Sequence, residues 1–445
     1  MMTRANRFPR RLGAWLVRGA VVLAVAGAWG CGQKDEAPAP AAAAKHQPGD
    51  AGHPANARAA EVKSGYDKAC KGGDLRACSN LGLMYDRGIG IVQDVAKAVP
   101  LYRKACDGKE PSGCSNLGSL YLRGRGVKKD PKKAIALFEG ACNDGFMGGC
   151  TNLGVAYEAG IGVAKNPAKA AAMYRKACDG KDMGACYNLA NTYVTGTGVD
   201  RDLAEAMTLF QRACDGGEPK GCFNLGVMYA TGEGVAKDVA KGMALFDRAC
   251  KAGGANSCYN LAVLYKQGKG VKQDLPRAAA LYDRACKGGH MQACSTLGLM
   301  VEQGTGVAHD GARAVALFGR ACEGGDMNGC YSLAVDYENG IGTGKDAARA
   351  AALYRKACDG GQMTGCSDLG RLYMSGTGVA SDVVAAAALF RRACDGHDAA
   401  GCFNLGIAYQ HGDGVDKNPA LADKLIHSAC KRGIREACAM AAAKP

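Results

Sequence analysis

Two cysteines eight residues apart recur every 36 residues along most of this chain. The first of each pair stands at Cys70, Cys106, Cys142, Cys178, Cys214, Cys250, Cys286, Cys322, Cys358, Cys394 and Cys430. The second stands at Cys78, Cys114, Cys150, Cys186, Cys222, Cys258, Cys294, Cys330, Cys366, Cys402 and Cys438. No insertion interrupts the period. A fixed period of this length marks an array of one supersecondary unit, each copy stacking on its neighbours to bury an apolar face.

The unit reads as two helices. After Cys222, Leu225, Val227, Met228 and Tyr229 recur at helical spacing, with Gly226 small enough for close helix packing. Gly232 and Gly234 end the run as a turn. Asp238 follows, and its counterparts are Asp94, Asp130, Asn166, Asp202, Asp274, Asp310, Asp346, Asp382 and Asn418. Only Asp or Asn occurs there, as a helix N-cap requires. Pro131, Pro167 and Pro419 directly after the cap suit the first helical position. Ala206, Leu209, Phe210 and Ala213 then place an apolar stripe on a second helix. Each period is therefore helix A, a Gly-x-Gly-Val turn, helix B and a Gly-rich turn.

Eight residues of one helix span roughly 12 Å, and a disulfide needs Cα atoms within about 7 Å. Cys214 and Cys222 can bridge if the chain reverses between them, at Asp215 to Lys220. Each bridge would then tie the end of helix B to the start of the next helix A. Buried free thiols or metal ligands are the alternatives. Zinc would want closer spacing, such as Cys-x-x-Cys with His nearby, and neither is present.

The pattern Cys-x-Asn-Leu-Gly-x-x-Tyr, Gly-x-Gly-Val-x-x-Asp and Ala-x-x-Leu-Tyr/Phe-x-x-Ala-Cys resembles the Sel1-like repeat. The cysteine pairs make it similar to the Helicobacter cysteine-rich (Hcp) proteins. The resemblance covers residues 57–440 and implies an all-α, tetratricopeptide-like solenoid. It implies a scaffold that binds protein or peptide. It also implies an alternative, the weak penicillin binding and β-lactam hydrolysis with which Hcp proteins are classed.

Residues 1–30 read as an export signal: Arg4, Arg7, Arg10 and Arg11 precede an apolar stretch from Ala20 to Trp29. Cys31 is the one cysteine of 23 outside the pairs. A lone thiol in an exported chain wants a role, and lipid attachment after Gly30 supplies one. Cleavage after Ala26 or Ala28 is the alternative. Residues 31–56 are rich in Ala and Pro and read as a tether. The array, 57–440, should begin with a helix B and end on a helix A. A disulfide framework calls for an oxidising space, periplasm or cell surface.

From Cys31 onward there are 51 basic and 42 acidic residues, a net +9. The cations sit on helix B beside Asp-containing turns, a solvated face, so nucleic acid is not an expected partner. No cofactor motif is found. Gly-x-Gly follows a helix and lacks the third Gly of a dinucleotide loop. One Ser-x-x-Lys occurs, Ser428 to Lys431, without the Ser-Asp-Asn and Lys-Thr-Gly that accompany it in serine β-lactamases. No catalytic residue is assigned.

By resemblance to tetratricopeptide hairpins, the binding wall comes from helix A, at the residue after the second cysteine, the Asn after that, and one turn further on. There Tyr187, Phe223 and Tyr259 cluster in consecutive units beside Asn188, Asn224 and Asn260. Rings give apolar area and amides fix an extended backbone, which suits a peptide or a cell-wall sugar-peptide fragment. The alternative is that these rings pack between helices.

Overall fold

A computed structural model describes residues 54–442, and all regular structure among them is helical, in 22 helices. A helix α1 (Pro54–Lys71) opens the array. Five A–B hairpins follow: α2 (Leu75–Arg87) with α3 (Val95–Asp107), α4 (Pro111–Arg123) with α5 (Pro131–Asn143), α6 (Met147–Ala159) with α7 (Pro167–Asp179), α8 (Met183–Thr195) with α9 (Leu203–Asp215), and α10 (Pro219–Thr231) with α11 (Val239–Lys251). The described chain then divides into two compact units between Asn260 and Leu261, inside α12 (Ala255–Gln267). Beyond it lie α13 (Leu275–Lys287), α14 (Met291–Gln303) with α15 (Gly311–Glu323), α16 (Met327–Asn339) with α17 (Ala347–Asp359), α18 (Met363–Ser375) with α19 (Val383–Asp395), and α20 (Ala399–His411) with α21 (Pro419–Lys431). A last helix A, α22 (Arg435–Ala442), ends the array. Helix α1 starts at Pro54, inside the span read as tether, because a Pro at the first helical position leads an Ala-rich stretch with high helix propensity.

Every predicted helix B cap is made. Asp94, Asp130, Asn166, Asp202, Asp238, Asp274, Asp310, Asp346, Asp382 and Asn418 each accept from a backbone N–H two or three residues on. The turn from helix B to helix A is shorter than the sequence reading placed it. Only residues 216–218 separate α9 from α10, because Pro219 starts the helix and Glu218 accepts from the Lys220 N–H.

Packing explains the small residues. A Cβ at Gly226 would lie 2.9 Å from the Phe246 ring, so helix A must be bare there for the helix B aromatic to reach it. Gly234 adopts φ 74° and would carry a Cβ 2.8 Å from Leu203 of the preceding helix B, so both its conformation and its neighbour favour glycine. The helix B aromatics Tyr102, Phe138, Tyr174, Phe210, Phe246, Tyr282, Phe318, Tyr354 and Phe390 are the largest fully buried side chains.

All eleven cysteine pairs are bridged within their turn, from Cys70–Cys78 to Cys430–Cys438, with Cα atoms 4.4–4.7 Å apart. A second tie joins consecutive units. The cation three residues before the end of helix B donates to the carbonyl of the first cysteine one unit earlier: Lys104 Nζ to Cys70 O (2.8 Å), Arg212 to Cys178 O (2.8 Å), Arg248 to Cys214 O (2.9 Å), Arg392 to Cys358 O (3.0 Å). That carbonyl is one of the unsatisfied acceptors at a helix C-terminus, where positive charge is favoured.

Candidate functional site

Helix A carries three side-chain columns repeated at the array period. The first holds the residue after the second cysteine. In the unit ending at Asn260, Tyr187 and Phe223 stand there half-buried. Their rings lie 5.9 Å and 5.8 Å from those of Phe210 and Phe246 in the helix B that follows. Lys220 sits 5.6 Å over the Tyr187 ring. Tyr259 is half-buried at the same position. These rings therefore touch the core on one side and keep an open edge on the other. Ser79, Ser115, Ser295 and Ser367 occupy the column as buried hydroxyls.

The second column is Asn80, Asn116, Asn152, Asn188, Asn224 and Asn260, without exception up to the division of the chain. The amides bond backwards along the array. Asn116 donates to Ser79 (3.4 Å), Asn152 to Ser115 (3.1 Å) and Asn224 to Asn191 (3.2 Å). Asn224 is only 5 % exposed and is spent on that bond, whereas Asn188 and Asn260 are half-buried. Asn188 and Asn191 lie three residues apart on one face of α8. The third column, three residues after the Asn, is aliphatic in Leu83, Val155 and Val227, and Val155 is 39 % exposed.

In the unit from Leu261 onward charge enters two of these columns, at Asp368 and Arg371. Tyr331 stacks on Tyr354 (5.7 Å) and donates to Asp368 (3.1 Å). Tyr354 donates to Glu338 (2.9 Å), and Arg371 joins Glu338 (2.5 Å) and Asp368 (3.7 Å). Burial works against the Arg371 charge, and the two carboxylates more than offset it, so its pKa is raised. Burial, then the Asp368 and Glu338 charges, push the Tyr354 hydroxyl far up. His290 caps α14 by accepting from the Ala293 N–H, and burial holds its pKa below the ordinary value.

A tyrosine one turn further on is topped by a cation in nearly every hairpin: Lys133 over Tyr121 (4.6 Å), Lys241 over Tyr229 (4.1 Å), Arg277 over Tyr265 (4.4 Å) and Arg349 over Tyr337 (5.5 Å). Where that helix B position is Glu205 or Ala385, an arginine eighteen residues before the ring takes over, Arg175 at Tyr193 and Arg355 at Tyr373. The column breaks once, at Val301, and Arg313 there faces Asp283 instead (3.7 Å).

Ser428 and Lys431 fall in the last turn of α21. That is the negative end of the helix dipole, which would repel a developing oxyanion. Cys31 lies outside the described residues. Among those described, no group of three or more His, Cys, Asp or Glu is placed to hold a metal ion, and no helix is long and apolar enough to cross a membrane.

Ten stretches match the Sel1 repeat: 75–109, 111–146, 149–182, 184–218, 219–254, 255–290, 292–326, 328–362, 364–398 and 399–434. No curated protein sequence matches the chain. Among solved structures, it is similar to a protective antigen of uropathogenic Escherichia coli with an SLR fold, at 27 % identity over 85 % of this chain and 81 % of that one (TM-score 0.62). It shares its fold with a Sel1 repeat protein of Oxalobacter formigenes, at 24 % identity over 70 % of this chain and 93 % of that one (TM-score 0.54). Cysteine rich protein B of Helicobacter pylori is 31 % identical over 29 % of this chain and 93 % of its own (TM-score 0.25).

Proposed function

The chain belongs to the Sel1 repeat family, and on that premise we propose that it is an exported, lipid-anchored scaffold of the cell envelope whose helix A faces bind protein or peptide. Sel1 arrays are scaffolds, and repeat arrays use continuous side-chain columns as extended binding surfaces. The observation that carries the reading is the neutral column in α8: Tyr187 with an open ring edge, then Asn188 and Asn191 on the same helical face. A ring beside two amides offers apolar area and paired donor–acceptor groups to an extended backbone, in a peptide or in a peptide-bearing cell-wall fragment. The eleven disulfides call for an oxidising, extracytoplasmic location. Diacylglycerol on Cys31 accounts for the one cysteine outside the pairs.

Two measurements test this. Asn188→Ala, which leaves the Asn224–Asn191 bond intact, should weaken capture of envelope peptides by the full oxidised chain about tenfold, the value of one lost hydrogen bond, while leaving its melting temperature within a few degrees. Undiminished capture would remove α8 from the site. Cys31→Ala should move the exported chain from the detergent phase to the aqueous phase. A wild-type chain already in the aqueous phase would rule out the anchor. The β-lactam alternative is not favoured, since Ser428 sits at the wrong end of its helix and its partner motifs are missing.

A further inference from the structure

One position pair in the repeats follows a rule with a single exception among the aromatics. Where the buried helix B aromatic is Tyr, the residue sixteen before it is charged: Asp86 with Tyr102, Glu158 with Tyr174, Lys266 with Tyr282, Glu338 with Tyr354. Two of these hydroxyls donate straight to their carboxylate, Tyr174 to Glu158 (2.7 Å) and Tyr354 to Glu338 (2.9 Å). Where the aromatic is Phe, the partner is uncharged: Leu122, Val194, Ala230 and Met374 face Phe138, Phe210, Phe246 and Phe390. Glu302 breaks the rule, because its partner is Phe318 and offers no hydroxyl.

The next unit breaks a second rule at the same place. Asp336 occupies a column that is otherwise Met84, Leu120, Ala156, Thr192, Met228, Leu264, Met300, Leu372 and Ala408. Thr192 satisfies its hydroxyl on Leu189 O at 2.7 Å. Asp336 is 1 % exposed, and neither carboxyl oxygen accepts a hydrogen bond from a described residue. The missing tyrosine ring at Val301 belongs to the same joint, between α14 and α16, which are in contact. Three departures from the repeat thus coincide at the contact of α14 with α16, where the buried Asp336 carboxyl and that of Glu302 act on each other.

We propose that Glu302 and Asp336 share one proton across the joint between α14 and α16, and that loss of this proton loosens the joint. A hydrogen bond between two carboxyl groups needs a proton on one of them. Without it, a buried carboxylate faces a second carboxylate and has no donor, an arrangement that demands either water entry or helix separation.

The other charged groups nearby have partners of their own or lie exposed. On α14 and α16 the remaining charged groups are His290, which caps α14, Asp326, which caps α16 and accepts from Ser295, and Glu338, engaged by Tyr354 and Arg371; the tyrosines of α16 are Tyr331, bonded to Asp368, and Tyr337, under Arg349. On α13, which packs against α14, Asp283 pairs with Lys287 and Arg313, and Arg277 lies over Tyr265. On α15, Arg313 faces Asp283, Arg320 donates to Lys287 O, and Glu323 is exposed. On α17, Arg349 pairs with Asp346, Arg355 bonds to Tyr373, Lys356 to Cys322 O, and Asp359 pairs with Arg392. On α18, Asp368 and Arg371 close the Glu338 network. His309, exposed on the loop after α14, also bears on Glu302.

Burial, then the Glu302 charge, pushes Asp336 up from 3.8 to about 8, and burial also raises Glu302. A carboxyl raised on folding contributes stability that is complete below the unfolded value. That stability is lost as pH rises from about 3.8 to about 8.

Hydrogen exchange on the full, oxidised chain between about pH 6 and 9.5 tests this, with rates corrected for intrinsic base catalysis. Amides of α14 and α16 should lose roughly tenfold protection across a midpoint near 8, while those of α2 to α9 stay level. Asp336→Asn, which mimics the protonated form, should abolish the change. Glu302→Gln should move the midpoint down, since it removes the neighbouring charge. Protection independent of pH in the wild type, or an equal loss in Asp336→Asn, would overturn the proposal. A midpoint unmoved by Glu302→Gln would overturn the sharing of the proton. Carbon-13 titration of the wild-type carboxyl groups needs no variant: one macroscopic step, shared by the two groups, should fall well above the carboxylate range, and its absence would sink the idea as well.

Discussion

The unit up to Asn260 and the unit from Leu261 are built from the same hairpin, yet they fill its helix A columns differently. In the first, the second column is an unbroken run of six asparagines, tied by neutral bonds such as Asn152 to Ser115. In the second, the same column reads Thr296, Ser332, Asp368 and Asn404, and charge enters the packing at Arg371, Glu338, Glu302 and Asp336. The backbone tolerates both fillings because neither column carries the fold. The staples, the Asp/Asn caps and the Gly–aromatic contacts do, and these are alike in the two units. Side chains on helix A are therefore free to specialise.

Reduction should have the largest effect and should erase the contrast. Each eight-residue loop contributes roughly 2.5 kcal/mol on the chain-entropy estimate, so reducing the bridges should lower the melting temperature of both units steeply. As a finer check, Cys214→Ala with Cys222→Ala and Cys358→Ala with Cys366→Ala should each cost about that amount. A clear inequality in denaturant unfolding would show that the scaffold is not shared equally. Next, Arg371→Met should cost about 3 kcal/mol, because it leaves Glu338 and Asp368, with most of their surface covered, held only by tyrosine hydroxyls and facing each other's charge. The same-column change Val227→Ala should cost only about 1 kcal/mol. Equal losses would mean that the charged network adds nothing particular to its unit. The smallest effect belongs to His290. Its folded pKa lies below 6.5, so its cap is complete above that value and is lost as pH falls through the folded value. That loss should amount to about 1 kcal/mol, and His290→Asn should keep the cap and flatten the pH profile of the melting temperature between 7 and 5.

The period, both helices, the ten helix B caps and the cystine pairing were legible in the sequence because each is imposed by a local rule repeated many times. Repetition raises such signals well above accident. The helix A face was legible only in part. Tyr187 and Asn188 are half-buried, but the burial of Asn224 follows from its bond to Asn191 one unit back, a contact no single repeat displays. The Glu302–Asp336 pair escaped for the opposite reason. Reading the units as copies averages away single departures, and this joint consists of nothing else. Aligning the units column by column and asking which position breaks its own pattern, as Val301 does among the tyrosines, would have exposed it.

The tie from helix B to the preceding cysteine carbonyl always reaches backwards, from Arg212 to Cys178, from Arg248 to Cys214, and never further than one period. Copy number is therefore an almost free variable in this architecture. Removing one whole period, or duplicating one, leaves every remaining cation facing an equivalent carbonyl, with no distant partner to lose. A lineage can lengthen or shorten the array by slippage at the gene and keep a folded product each time. Helix A columns such as the asparagine run can thus be matched to the length of what they hold by counting units rather than by redesigning them.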